Sequence, residues 1–317
     1  MGTTAKASQN FPDRPIVVIG GPALDIEAHV PYFPAVDGNV VATALYRRPG
    51  GVGANIAVAL ARLGNRVVLL GATGDDDSGM FLREQLARAG VDTSAMLTRV
   101  HTATHSCFIA VTPGGERMIY GLPGTTTLEK PEEVNHAIIR TAGLLHIGPT
   151  YRAVALAAIA TAHAWGLFIS YTPADVRWPE GPQAVLDIAR HADLLIVNRI
   201  EAAALTGAET PEDAAQRLLG RGHSPLILTC GGDGVLLGIG DRLIKLPAYP
   251  VDTVQNTTGA GDAFTAGVIT GLHQGLPLEQ AVYTGMAVAA LKLRQPGAQA
   301  GLPTMEEVNE FIAHHPG

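Results

Sequence analysis

Short β-branched and leucine-rich runs alternate with longer amphipathic stretches over most of this chain. Ile16–Gly21, Arg66–Gly71, Leu144–Gly148, Leu167–Tyr171, Leu194–Asn198 and Leu226–Cys230 predict strands. Ala153–Trp165, Pro182–Ala189 and Pro211–Leu219 read as helices between or beside them. Strand and helix in alternation predict βαβ units and a mostly parallel sheet covered on both faces. The unbroken apolar character of Leu194–Val197 and Leu226–Leu228 suits buried central strands. Two segments break this rhythm: from Ile26 to Arg48, and again from Thr104 to Gly121, apolar and polar residues roughly alternate without a helix signal. Ser106–Val111 and Glu116–Tyr120 read as a hairpin turning on Pro113-Gly114-Gly115, half-buried strands that could form a flap beside a site. No internal repeat or low-complexity tract interrupts the pattern. One α/β domain over residues 14–317 is expected, after a flexible polar leader at 1–13.

Composition narrows the class. A chain of 317 residues can bury one large core, and 47% hydrophobic against 16% charged residues excludes a disordered chain. No apolar run approaches the roughly 20 residues of a membrane span, and the N-terminus lacks a signal-peptide core. Cys107 and Cys230 are too few for a disulfide framework and lack metal-ligand spacing, which fits a reducing cytoplasm. A formal charge of −7 argues against a nucleic-acid partner but leaves room for a small anionic ligand held by local groups.

Five segments carry candidate chemistry. Thr257-Thr258-Gly259-Ala260-Gly261-Asp262 precedes an amphipathic stretch, Ala263–Leu272. Small residues at Gly259, Ala260 and Gly261 let backbone N–H groups converge at the positive end of a helix, which suits a phosphoryl group gathering charge. Asp262 beside such an anion hole can take a proton from a hydroxyl. The same residues also suit a plain glycine-rich loop with Asp262 stabilising a helix start. Gly50-Gly51-Val52-Gly53-Ala54-Asn55 permits close backbone approach to a ligand, with Asn55 offering donor and acceptor to hydroxyls; a turn and helix ending at Gly64 is the plainer reading. Asp25, just past the first strand, is placed to accept bonds from two sugar hydroxyls, or is an exposed loop carboxylate. Asn198 and Glu201 open a helix after a buried strand. Glu201 could order hydrated Mg²⁺ near phosphates, or the pair could be a capping box. Thr229-Cys230-Gly231-Gly232-Asp233-Gly234 links two strands as a hairpin, or lets nucleotide phosphates approach backbone.

Together and in this order, these segments resemble the ribokinase/PfkB family of carbohydrate kinases, from about Ile16 to Phe311. Gly50-Gly51-x-x-x-Asn55 and Gly259-Ala260-Gly261-Asp262 look like its two signatures, with Asn198-x-x-Glu201 between them. The tail Gly297–Val308 is similar to the ribokinase ending. The resemblance implies a ribokinase-like, Rossmann-type three-layer α/β/α domain with a small β-sheet lid from segments of about 27–48 and 104–121, often also a dimer surface. It implies an ATP-dependent kinase acting on a hydroxymethyl group of a small sugar or nucleoside. Asp25, Gly50, Gly51 and Asn55 would hold the substrate, Asp262 would be the base, and Gly259, Ala260 and Gly261 the anion hole. Asn198, Thr229, Gly231, Gly234 and Ala287 would line the nucleotide site, with Glu201 near Mg²⁺ through water. The family usually has Asp at the position of Asn256, within the monovalent-cation site of ribokinases, so K⁺ is an open cofactor here. Pseudouridine kinases share Asn-x-Thr-Gly-Ala-Gly-Asp, and Ile147-Gly148-Pro149 lacks the sugar-binding Glu of ribokinases. Those departures argue for a nucleoside or a sugar other than ribose.

Gly20-Gly21-Pro22-Ala23-Leu24-Asp25 does not match a dinucleotide fingerprint, and no Walker A motif exists. The competing reading is a sugar- or nucleoside-binding sensor that kept the fold without turnover. His105, His146 and Cys107 lie near these segments and read as structural.

Overall fold

The computed structural model describes residues 13–174, 180–251, 253–295 and 297–315. The expected leader therefore lies almost wholly outside the described residues. The chain runs β1 (Ile16–Ile19), β2 (Ala23–His29), β3 (Ala44–Gly50), α1 (Val52–Arg62), β4 (Val67–Leu70), β5 (Ala72–Gly74), α2 (Asp77–Arg88), β6 (Val91–Asp92), β7 (Leu97–Arg99), β8 (Ser106–Val111) and β9 (Arg117–Leu122). It continues through α3 (His136–Thr141), β10 (Leu144–Ile147), α4 (Arg152–Ala164), β11 (Phe168–Tyr171), α5 (Gly181–Ala189), β12 (Leu194–Asn198), α6 (Arg199–Thr206), α7 (Pro211–Gly220), β13 (Leu226–Thr229), β14 (Val235–Ile239) and β15 (Arg242–Leu246). Then follow α8 (Ala260–His273), α9 (Leu278–Lys292) and α10 (Met305–His314).

Nine strands form the main sheet in the order β15-β14-β13-β12-β11-β10-β1-β4-β6. From β13 to β6 the pairing is parallel; β14 and β15 close the edge antiparallel. Successive residues of β1 serve opposite layers, as the two-residue pleat demands. Val17 and Ile19 pack with Val154, Ala155 and Ile159 of α4, while Ile16 and Val18 pack with Ile56 and Leu60 of α1 and Ile269 of α8. All four β1 residues are fully buried, each stabilising the fold by roughly 1.5–3 kcal/mol. This double-sided burial explains why β1, β10, β12 and β13 read as continuous apolar runs.

The two segments that broke the rhythm build a separate four-stranded sheet, β3-β2-β8-β9. In it Asp25 is paired with Arg48 on β3 and Cys107 on β8. Its outer strand β9 is exposed along its whole length, including Ile119 and Tyr120. Between Val30 and Thr43 the expected alternation forms no strand. Among the described residues, no helix is long and apolar enough to cross a membrane.

Candidate active site

The two glycine-rich segments meet beyond the end of β1. A Cβ on Gly53 would lie 2.7 Å from Gly20 Cα, so the two backbones are in direct contact. Gly51 sits at φ 91°, where a Cβ would lie 2.5 Å from Gly21 O; no other residue fits this turn without strain. α1 starts immediately afterwards and carries buried Asn55 in its first turn. Asn55 Nδ2 donates to Asp262 Oδ2 at 2.8 Å, and Asn55 Oδ1 accepts from Gln299 Nε2 at 3.0 Å. With donor and acceptor both engaged, the amide has one orientation.

Asp262 lies in the first turn of α8, which begins at Ala260, ahead of the expected start at Ala263. The cap residue Gly259 is left-handed at φ 77°, and no side chain caps it. A Cβ there would lie 2.6 Å from Ala298 O. Helix geometry leaves the N–H groups of Gly261 and Asp262 without intrahelical acceptors, at the positive end of the dipole. A Cβ on Gly261 would meet no atom within 4 Å, so open space lies over this turn. Burial pushes the Asp262 carboxyl up to about 6, opposed by the Asn55 bond and the charge of Lys292.

Asp25 departs from the sequence expectation in its setting. β1 ends at Ile19, and Asp25 stands within β2 of the small sheet rather than in a loop after the first strand. The pattern hid this because β2 follows β1 after only three residues, Gly20 to Pro22. A Cβ on Gly50 would lie 2.6 Å from Asp25 Oδ2, so Gly50 makes room for that carboxylate. Burial, then the neighbouring Glu27 charge, push Asp25 up to about 6.

At the end of β12, Asn198 Oδ1 accepts from the N–H groups of Ile200 and Glu201, and Glu201 Oε2 accepts from Asn198 N. This is a complete capping box, and it engages both side chains in starting α6. Among the described residues, no three His, Cys, Asp or Glu side chains cluster to hold a metal. Glu201, with Oε2 engaged in the cap, could offer an Mg²⁺ ion at most one carboxylate group. Thr229 ends β13, and Gly231 and Gly234 form the connection to β14. Gly234, at φ 90°, packs against β15, where a Cβ would lie 2.1 Å from Leu246 O; above Gly231 the space is open. Ala287 is fully buried within α9, so it offers no surface to a ligand. His146 is buried in the main sheet against Ser170, its pKa pushed down to about 3 by desolvation, and acts as a neutral core residue. Cys107 Sγ approaches His105 Nε2 at 3.9 Å beside β2.

Three residues of this neighbourhood were assigned no role from sequence. Gln299 holds Asn55, and Arg117 at the start of β9 donates from Nη1 to Thr258 Oγ1 at 3.2 Å, linking the small sheet to the glycine turn. Lys292, at the end of α9, donates from Nζ to Asn256 O at 3.2 Å. A lone lysine in the apolar run Ala289–Leu293 was the available signal for the last; contacts between distant segments left none for the others.

The three layers and the small sheet define a ribokinase-like α/β protein. A family model described as pfkB family carbohydrate kinase matches residues 14–305. Fructokinase-1 of Oryza sativa subsp. japonica is 32% identical over 309 residues, covering 90% of this chain and 95% of that protein. Ribokinase of Bacillus subtilis (strain 168) is 30% identical over 312 residues, covering 95% and 100%. Among solved structures, Arabidopsis thaliana ribokinase complexed with ribose and ATP matches with a TM-score of 0.85 at 23% identity, covering 94% of this chain and 98% of that one. Ribokinase of Thermotoga maritima matches at 0.83 and 28% identity, covering 95% and 99%. The chain belongs to the pfkB family of carbohydrate kinases.

Proposed function

We propose that this kinase transfers the terminal phosphoryl group of ATP to the hydroxymethyl group of a small sugar, with Asp262 as general base. The observation that carries the reading is the Asn55–Asp262 hydrogen bond at the uncapped, glycine-rich start of α8. Asn55 holds Oδ2 of Asp262 and leaves Oδ1 to serve as the proton acceptor. Asp262 takes the hydroxyl proton as the oxygen bonds to the γ-phosphorus and the bond to the β–γ bridging oxygen breaks, releasing ADP; the base pKa near 6 suits that transfer at neutral pH. The turn Gly259-Ala260-Gly261 stabilises the phosphoryl oxygens as they gather charge. Asp25 and Asn55 hold the sugar's other hydroxyls, with Gly50 and Gly51 keeping the backbone close. Asn198, Thr229 and Gly231 would border the nucleotide, and Glu201 would help hold Mg²⁺ through water; the ion would supply neutralisation of phosphate charge.

Residues 14–317 would act as one catalytic domain, with β2, β3, β8 and β9 as its lid. Leu45, Ile119 and Tyr120, exposed on the small sheet, support a homodimer formed through that lid. Free Cys107 and Cys230 suit a reducing cytoplasm.

A nucleoside acceptor is the second reading, favoured by Ile147-Gly148-Pro149 at the crevice end of β10, where no carboxylate is present for a sugar hydroxyl. A silent sensor is disfavoured, because base, amide partner and glycine turn are retained together. ADP release from MgATP, measured against ribose, fructose, other sugars, adenosine, cytidine and pseudouridine, separates these. Strong turnover on one sugar supports the proposal, nucleoside turnover supports the second reading, and silence from folded, ATP-binding protein supports the sensor.

A further inference from the structure

Lys292 heads the fully buried side chains of the described chain by size, and it is the charged one among them. A buried ammonium is costly unless something compensates it. Among the described residues it makes no close ion pair; its Nζ bonds instead to the backbone carbonyl of Asn256. Burial lowers the Lys292 pKa, and two influences oppose it: the Asp262 carboxylate, and the C-terminal end of α9, negative by its dipole. The segment that Lys292 grips is the approach to the anion hole. Gln255 N donates to Leu293 O at 2.9 Å, Thr258 N to Asn256 Oδ1 at 2.7 Å, and Ala260 N to Thr257 O at 3.2 Å. The end of α9 and the turn before α8 are therefore one laced unit with an ammonium at its centre.

A backbone carbonyl near a carboxylate, such as that of Asn256 before Asp262, is where a bare monovalent cation would settle. Here that place does not fit one. The Asn256 carbonyl is taken by Nζ, residue 256 is a neutral amide instead of a carboxylate, and a fixed ammonium repels a second cation at this range.

We infer that Lys292 is a resident cation of the phosphoryl-transfer loop, a positioning residue that holds Asn256–Gly259 and sets the field at Asp262 in place of a bound alkali ion. This rests on the proposed role of Asp262. Among the described groups around that carboxylate, Asn55 from α1 is neutral and Lys292 from α9 carries the charge.

The test has two arms. Wild-type turnover is measured at constant ionic strength in Li⁺, Na⁺, K⁺, Cs⁺ and tetramethylammonium salts; the expected rates agree within about twofold. Turnover that demands K⁺ overturns the inference without touching the base assignment, and silence in every salt and with every acceptor overturns the base assignment beneath it. In the second arm, Lys292→Met should lower kcat with little change in sugar KM and move the acid limb of its pH profile upward by on the order of one unit. Lys292→Ala should acquire stimulation by K⁺ or ammonium. Loss of activity with an unmoved acid limb and no cation rescue, in folded protein, marks Lys292 as structural only. Should both variants unfold, the wild-type salt series decides by itself.

Discussion

Asn55 Nδ2 and Asp262 Oδ2 lie 2.8 Å apart although 207 positions separate them in the chain. One hydrogen bond thus joins the first turn of α1 to the first turn of α8. Gln299 fixes the other end of the Asn55 amide, so three distant segments meet through one amide. As the proposed base, a carboxylate held in this way would need little reorientation when the acceptor arrives.

Replacing Asp262 by Asn removes the proton acceptor and preserves the shape. kcat should fall by on the order of 10²–10⁴ with sugar KM nearly unchanged. Steady-state kinetics on the preferred acceptor checks this, and a variant near the wild-type rate would refute the assignment.

Since the Asp262 carboxyl is pushed up to about 6, wild-type kcat should decline as pH falls through that value. Stability should run the other way. A folded-state pKa above the unfolded value of about 3.9 means that the native state binds the proton more tightly, so the Asp262 contribution weakens as pH rises from 4 through 6. Asp262→Asn should accordingly raise Tm at pH 8, with the gain shrinking toward pH 4. Asp25, raised for the same reason of burial, should behave alike in Asp25→Asn. Melting curves across that range settle the sign.

Gly50 and Gly51 should respond differently to alanine. In Gly50→Ala the new methyl meets the Asp25 carboxylate at 2.6 Å, so the acceptor site is disturbed and sugar KM rises in folded protein. In Gly51→Ala the methyl meets backbone at 2.5 Å from a left-handed residue, a strain of about 1–3 kcal/mol before any clash. Thermal unfolding should drop sharply for the second variant and modestly for the first.

Arg117 ties the exposed hairpin to Thr258 beside the glycine turn. Its removal in Arg117→Ala should leave Tm within about a degree, because exposed contacts contribute little. It should loosen closure over the crevice, raising KM several-fold and increasing ADP release without acceptor. Tight coupling in the variant would show that this contact has no part in closure.

The sequence by itself determined the layered fold and pointed to the segments proposed to react. Apolar runs at β1, β10, β12 and β13 need burial on both faces, and only a sheet between two helix layers supplies it. Asp262 and its glycines were legible for a local reason: the turn chemistry and the helix start lie within six residues. The antiparallel edge β14-β15 and the strand setting of Asp25 were less legible, since partner choice in a sheet is a property of distant segments. Tertiary structure alone decided that Asn55 holds Asp262 and Gln299 holds Asn55, that the Asn198–Glu201 pair closes on itself as a cap, and that Ala287 is core. It also decided that Lys292, one charge in an apolar helix, faces inward to a carbonyl. Local pattern records what each residue prefers, whereas burial, pKa and hydrogen-bond partners are set by which remote backbone arrives beside it.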